Sequence, residues 1–383
     1  MIIFLFGLNH VVSQEAIYIG PQSDNMDKTV YTAMQNIWYA NERISYLCPL
    51  PVINNQIEPN IPFREGEGNT KSYVFEGSLF YQVPIAMGRN QGSHFWQTSR
   101  ATFDFGFNIR MATEDSSPLL PNNNVIGFTI EKKVFNSYTY NKAAQRIANN
   151  FSFENWYEKD LALHDVSVNF TAHHYSNGQQ DNLFVYEDIN GTIERRNNYK
   201  SGDFSTNYIN LGATYSYLSK KRSLYSANLA YQFDGTFFGP LSFTEEQKNN
   251  YGQHRIKSFL QFRTIGKAKS TRQPHVAYDI CNNVKIPKTL NYFNEYVIRW
   301  ESEYILGSMS DYISSDKKYR FNQHLYLQYT KPNWRALGFL IHCYCGRDYS
   351  NVRYDMPIVA IMAGISINFN KYKVPLKVSQ RYN

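Results

Sequence analysis

The clearest alternation in the sequence runs from Phe103 to Met111 and reads FDFGFNIRM. Apolar residues occupy every odd position of this stretch, and polar residues or glycine occupy every even position. Because successive side chains of a β-strand point to opposite faces, the alternation predicts a strand with one apolar and one polar face. The same alternation returns at residues 126–131, 166–172, 321–328 and 361–369. It predicts β-structure along most of the chain.

About twelve candidate strands follow this pattern, at residues 72–87, 95–113, 124–135, 164–176, 205–218, 223–234, 253–266, 274–284, 292–306, 319–331, 335–345 and 357–370. Most contain the roughly 9 to 11 residues that a tilted strand needs to cross a bilayer. Hydrocarbon offers no hydrogen bonds to an open sheet edge, so strands in a membrane must close into a barrel. The pattern therefore predicts an all-β fold, a transmembrane antiparallel β-barrel of about 12 strands. A soluble β-sandwich or a secreted β-helix is the alternative, which strands this long fit poorly.

Composition excludes two classes of protein. The chain has 383 residues and a mean hydropathy of -0.50, and it lacks the roughly 18 consecutive apolar residues of a membrane-spanning helix. Aromatic residues make up 16% of the chain, too many for an intrinsically disordered protein. Negative hydropathy still fits a membrane barrel, because only every second residue of a strand faces lipid. The net charge of +7 forms no basic stripe, so nucleic acid is not an expected partner.

The chain divides into four parts. Residues 1–14 read MIIFLFGLNHVVSQ and resemble a signal-peptide remnant, with a short apolar first strand as the alternative. Residues 15–70 contain few alternating runs and are interpreted as an N-terminal segment before the barrel. Residues 71–370 are the predicted outer-membrane β-barrel, and residues 371–383 are a C-terminal tail. The expected location is the bacterial outer membrane, as a multi-pass protein.

Residues 171–178 read TAHHYSNG and combine histidine and serine at a spacing that suits ester hydrolysis. If the strand continues through residue 176, parity places His174 and Ser176 on the apolar, lipid-facing side and His173 on the polar side. Residues two apart on a strand lie about 6.6 to 7 Å apart at the backbone, so the imidazole can reach the serine hydroxyl. Polar residues at an interfacial rim explain the same parity equally well.

Asn207 heads the next apolar strand face, which continues through Ile209 and Leu211. On an antiparallel neighbouring strand, Asn207 can meet His174 and hold its second ring nitrogen, as the third member of a catalytic triad does. An amide suits a lipid-facing position because a carboxylate there would bear a large desolvation cost. Ser176, His174 and Asn207 are therefore the candidate catalytic residues.

Two short motifs stand in order along the chain, EDSSP at residues 114–118 and HYSNG at residues 174–178. They resemble the Glu-Glu-Ser-Ser-Pro and His-x-Ser-Asn-Gly signatures of the outer-membrane phospholipase A family, and Asn207 matches the Asn that the family carries on the following strand. Members of that family are twelve-stranded barrels that hydrolyse acyl esters of phospholipids. The resemblance covers roughly residues 70–370.

The resemblance implies a role for each matching residue. Ser176 would be the nucleophile, His174 the general base and Asn207 the residue that orients it. The backbone amide of Gly178 would stabilise the oxyanion. The gap between Ser176 and Asn207 is 31 residues, longer than in the family.

The resemblance also implies calcium as a cofactor and a homodimer as the assembly. The backbone carbonyls of Gln179 and Asp203 would bind the ion together with the hydroxyl of Ser116 from a second subunit. The chain carries Gln179 where the family has Arg, and Asp203 where the family has Ser.

The expected function is thus that of a calcium-dependent outer-membrane phospholipase A1/A2, a carboxylic ester hydrolase whose substrate is membrane phospholipid. The main alternative is a non-enzymatic porin or transporter barrel, which needs no serine and histidine on its lipid-facing side. A soluble secreted β-protein is a third class, and it would partition into water.

Overall fold

A single antiparallel sheet closes on itself into a twelve-stranded barrel. This computed structural model describes residues 37–49, 51–55, 73–87, 99–112, 122–137, 163–189, 191–198, 202–219, 223–235, 243–267, 276–279, 284–287, 293–307, 309, 320–330, 337–349, 354 and 357–368. The predicted signal-peptide remnant at 1–14 and the tail at 371–383 lie outside these residues.

The barrel strands are long, and neighbours in the chain pair with each other through most of the sheet. In chain order they are β1 (Ser45–Pro49), β2 (Val52–Asn55), β3 (Tyr73–Met87), β4 (Ser99–Ala112), β5 (Asn123–Asn136), β6 (Leu163–Ser176), β9 (Ser205–Leu218), β10 (Ser223–Gly235), β11 (His254–Lys267), β14 (Phe293–Leu306), β15 (Phe321–Thr330), β16 (Leu337–Arg347) and β17 (Pro357–Ile367). Two hairpins lie outside the barrel sheet, β7 (Phe184–Ile189) with β8 (Thr192–Asn197), and β12 (Val276–Asp279) with β13 (Val284–Pro287). A short helix, α1 (Glu245–Tyr251), precedes β11.

The segments β1 and β2 lie end to end and together form the strand that closes the barrel. Both pair with β17, and β1 also pairs with β3. Ser45 opposes Ile367 and Val52 opposes Ile361, so seven steps along the first strand match six along β17. This mismatch is a β-bulge, and it falls between Leu47 and Val52, a stretch in which Pro49 and Pro51 lack the N–H groups needed for the ladder.

The origin of the twelfth strand therefore differs from the expectation. The barrel takes it from residues 45–55, inside the segment that was interpreted as preceding the barrel. The candidate strand at 274–284 is not a barrel strand, because its described part forms β12 and pairs only with β13. Prolines and a bulge hide the period of two in residues 45–55. At 274–284 the alternation predicts a strand but does not indicate with which other strand it pairs.

The two faces of the sheet follow the predicted alternation. On β4, Phe105 and Phe107 are exposed on the outside of the barrel, whereas Asp104 and Arg110 are buried inside it. The same outward apolar band continues on neighbouring strands, for example at Ile126, Phe128, Ile130, Val168, Phe170 and Leu211. The fold class, an all-β antiparallel barrel of twelve strands, is confirmed. Among the described helices, none has the length and apolar character needed to cross a membrane.

Paired charges and a chain segment fill much of the barrel interior. Arg110 forms ion pairs with Glu76 and Asp348. The segment 37–44 lies inside the barrel at the end away from Arg110. There Arg299 donates to the carbonyl of Asn41, and buried Trp38 packs beneath Arg100. A cavity of about 430 Å³ remains among these side chains.

Candidate active site

His174 and Asn207 meet across the pair formed by β6 and β9. The register places the two residues directly opposite each other, and His174 Nδ1 lies 2.9 Å from Asn207 Oδ1. Because an amide oxygen can only accept, Nδ1 carries the hydrogen and donates it. The bond therefore fixes the tautomer of His174 in which Nε2 is free of hydrogen and can act as a base.

These side chains lie on the outer face of the barrel, at the end where β6 finishes and β9 begins. Val168 and Phe170, which share the parity of His174, are exposed on that face. His174 is half-buried, whereas Asn207 is only 1% exposed. Water has little access to the amide, so it competes weakly for the hydrogen bond to the imidazole.

Ser176 lies two residues beyond His174 on the same face, and its hydroxyl points toward the turn that follows. The backbone N–H of Gly178 donates to Ser176 Oγ over 3.1 Å. Gly178 has a φ of 67°, a left-handed conformation that glycine adopts without strain. The structure describes no hydrogen bond between Ser176 and His174. Their backbones are one strand repeat apart, about 6.6 to 7 Å, so rotation of the two side chains can bring Oγ to Nε2.

Asn177 holds together the two ends of the loop between β6 and β9. Its side chain is buried, and its Nδ2 donates to the carbonyl of Gly202 over 2.7 Å. Its Oδ1 accepts from the amides of Gln179 and Phe204 over 3.2 and 3.0 Å. Two of these partners, Gly202 and Phe204, lie more than twenty residues away along the chain, so no local pattern in the sequence indicates them.

The hydrogen bonds of Asn177 bring together two of the three residues implied as calcium ligands. Gln179 and Asp203 lie on adjoining backbone segments, which are further joined by the bond from the Asp203 amide to the carbonyl of Asp181. Partial burial raises the pKa of the Asp203 carboxyl, and the electrostatic interaction with nearby His174 opposes this rise. Ser116 lies outside the described residues.

The oxygen donors at this place suit calcium, which binds carbonyl and carboxylate oxygens in preference to nitrogen or sulfur. In the described part of the chain, no three His, Cys, Asp or Glu side chains are grouped as a metal site. A calcium ion here would therefore depend on backbone carbonyls.

The side chain of His173 lies on the opposite, inward face of the same strand. It is buried inside the barrel, where Nε2 lies 2.8 Å from Asp104 Oδ2 and Nδ1 lies 2.8 Å from the hydroxyl of Tyr208. The sequence placed His173 on the polar face but did not indicate these partners. The one indication in the sequence was that Asp104 also lies on the polar face of its candidate strand, at residues 95–113.

Three solved structures of outer membrane phospholipases resemble this chain at low identity. Phospholipase A from Escherichia coli, as an active-site mutant, has a TM-score of 0.45 at 11% identity and covers 88% of this chain and 97% of its own. A second structure of that enzyme gives 0.43 at 12% identity with the same coverage. The Salmonella typhi outer membrane phospholipase dimer with bound calcium gives 0.42 at 11% identity and covers 85% of this chain and 90% of its own. No protein-family model and no curated protein matches the chain. Similarities this distant say nothing about its chemistry, which depends on its own residues.

Proposed function

We propose that the protein is an outer-membrane phospholipase that hydrolyses acyl esters of phospholipids. The observation that carries the proposal is the 2.9 Å hydrogen bond between His174 and Asn207 on the outer face of the barrel, with Ser176 two residues further along the same strand. A base with a fixed tautomer beside a hydroxyl is the arrangement that activates a serine nucleophile.

The outer surface of the barrel supports a membrane location. Apolar side chains cover the outward face of neighbouring strands, and the closed sheet leaves no edge that would lack hydrogen bonds in hydrocarbon. A bilayer explains why large apolar residues such as Leu211 and Leu229 point away from the protein interior. In this setting His174 and Ser176 meet phospholipid directly.

The proposed reaction proceeds in two steps. Ser176 Oγ attacks the acyl carbonyl carbon while His174 Nε2 takes the hydroxyl proton, and the imidazolium then gives this proton to the departing alcohol oxygen. Water hydrolyses the acyl-enzyme by the same route, which releases fatty acid and restores Ser176. Gly178 N–H already reaches Oγ, so it also lies within reach of an oxyanion formed on the carbon bound to Oγ.

Asn207 orients His174 in this scheme without adding a charge. Its side chain is almost fully buried at a lipid-facing position. A carboxylate there would need to be desolvated, whereas an amide oxygen accepts the Nδ1 hydrogen and remains neutral.

Calcium and a second subunit complete the proposal. Gln179 and Asp203 would hold the ion through their carbonyls, and Ser116 of a second copy would add its hydroxyl. A bound calcium ion would supply positive charge near the developing oxyanion.

Calcium removal provides a test of this part. We expect a chelator to stop fatty acid release from phospholipid in mixed micelles, calcium to restore it, and magnesium to fail, because magnesium demands a smaller octahedral site. Sedimentation in detergent would follow the oligomeric state in the same samples. Full activity of a calcium-free monomer would contradict both the metal and the dimer.

Substitution of Asn207 tests the orienting role. We expect Asn207→Ala to lower turnover less than His174→Ala does, because the orienting member of a triad contributes less than the base. The turnover of the two variants should differ by roughly one to two orders of magnitude. Asn197→Ala and Asn198→Ala are matched controls, since both residues lie at the end of the β7–β8 hairpin and Asn198 donates to the carbonyl of Asn182. A loss confined to either control variant would reject the assignment of Asn207.

The filled interior favours the enzyme over the porin alternative. Ion pairs and the segment 37–44 occupy the interior, and the cavity of about 430 Å³ is lined by charged and aromatic side chains. The decisive experiment compares fatty acid release from phospholipid vesicles with single-channel conductance of the same purified barrel. Release without conductance supports the proposal, and conductance without release rejects it.

A further inference from the structure

Asn124 lies beside Ser176 on the outer face, on the side away from Asn207. The register of β5 and β6 places Asn124 directly opposite Ser176, and Ile126 directly opposite His174. Opposed residues of an antiparallel pair point to the same face with Cα atoms about 4.5 to 5.5 Å apart. Ile126 is exposed on the outer face, so the side chain of Asn124 emerges on that face next to the Ser176 hydroxyl.

The amide of Asn124 is already oriented. Its Oδ1 accepts a hydrogen bond of 2.8 Å from Asn122 Nδ2, so Nδ2 is the end of the amide that faces away from Asn122. A Cβ atom placed on Gly178 would lie 3.9 Å from Asn124 Nδ2, which puts this donor group next to the Gly178 backbone. Within the described residues, Asn124 Nδ2 donates to no other group.

We infer that Asn124 Nδ2 is a second donor to the oxyanion, acting together with the backbone N–H of Gly178. The inference rests on the proposed function and adds a catalytic residue to it. Two neutral donors then converge on one place: Gly178 N–H contacts Ser176 Oγ from the following turn, and Asn124 Nδ2 approaches from the neighbouring strand. An oxyanion formed on the carbon attached to Oγ lies between them, where fixed donors stabilise charge that develops only in the transition state.

Two substitutions at this position separate a catalytic role from a structural one. Asn124→Ala removes the donor and also the partner of Asn122. Asn124→Asp keeps an oxygen that accepts from Asn122 but replaces the donor with a negative charge. If Asn124 stabilises the oxyanion, Asn124→Ala lowers kcat roughly 100-fold with little change in KM, and Asn124→Asp lowers kcat further through repulsion between the two negative charges. If Asn124 only supports the loop, Asn124→Asp lowers kcat less than Asn124→Ala does, because aspartate preserves the bond to Asn122.

Asn122→Ala is the matched control. It removes the partner of Asn124 Oδ1 but leaves the donor, so its effect on kcat is expected to be much smaller than that of Asn124→Ala. A fluorophosphonate probe gives a second measurement, because its phosphoryl oxygen occupies the oxyanion position when Ser176 is labelled. Its second-order labelling rate should fall in the same order as kcat across the three variants.

The outcomes are distinct for this inference and for the function on which it rests. An active wild-type barrel in which Asn124→Ala keeps kcat within about twofold, or in which Asn124→Asp is no worse than Asn124→Ala, overturns the role of Asn124 alone. A wild-type barrel that neither releases fatty acid nor labels at Ser176 overturns the phospholipase proposal and the role of Asn124 with it.

Discussion

Ser176→Ala is expected to reduce release of fatty acid by about four to six orders of magnitude, because it removes the proposed nucleophile. Folding should be preserved. The Ser176 hydroxyl is half-buried and accepts one hydrogen bond, from Gly178, so its loss should change the free energy of unfolding by no more than about 1 kcal/mol. Fatty acid release and heat-modifiable gel migration, measured on the same membrane preparation, check both expectations.

Ser205→Ala is the matched control for this experiment. Ser205 lies directly opposite Ser176 on β9 and shares its face, yet it has no histidine two residues before it. We expect this variant to retain activity. If Ser205→Ala were inactive and Ser176→Ala active, the nucleophile would be Ser205, and the motif at 174–178 would have been misinterpreted.

His174→Ala is expected to reduce turnover by at least three orders of magnitude, because it removes the base proposed to accept the proton of Ser176. The barrel should remain folded, since His174 is half-buried on the outer face and its removal takes away one described hydrogen bond, the one to Asn207. Kinetics in mixed micelles and thermal unfolding in detergent measure the two properties separately.

Substitution of the neighbouring histidine, His173, is the control, and we expect it to affect stability more than turnover. His173 is buried and bonded to Asp104 and Tyr208 inside the barrel. His173→Ala leaves these buried partners without the imidazole, so we expect a loss of about 1 to 3 kcal/mol in the free energy of unfolding and a much smaller effect on turnover. If the two variants exchanged these effects, the base would be His173 and the site would face the interior.

The strand pattern could be predicted because each strand carries it locally. The apolar and polar faces of β4 and β6 were predicted from their alternation alone, and the structure places those faces outside and inside the barrel. The closing strand at 45–55 was missed because Pro49, Pro51 and a bulge break the alternation, and only its pairing with β17 identifies it as a barrel strand.

The buried contacts around the site could not be predicted in the same way. Asn177 binds Gly202 and Phe204 from across a loop, and His173 binds Asp104 from two strands away in the barrel. Such partners are separated by 25 to 69 residues. No periodicity in the sequence connects them.

Where the alternation is regular, as in β4 and β6, the amino-acid sequence is enough to predict the strand and the face that each side chain occupies, since a period of two is a property of the extended backbone. It therefore placed His174, Ser176 and Asn207 on the lipid-facing side as a prediction. The register, in which Asn207 opposes His174 and Asn124 opposes Ser176, is known from the folded barrel alone. A shift of one residue would turn these side chains to opposite faces, and register depends on hydrogen bonds between strands and on closure of the whole sheet, which no single strand encodes.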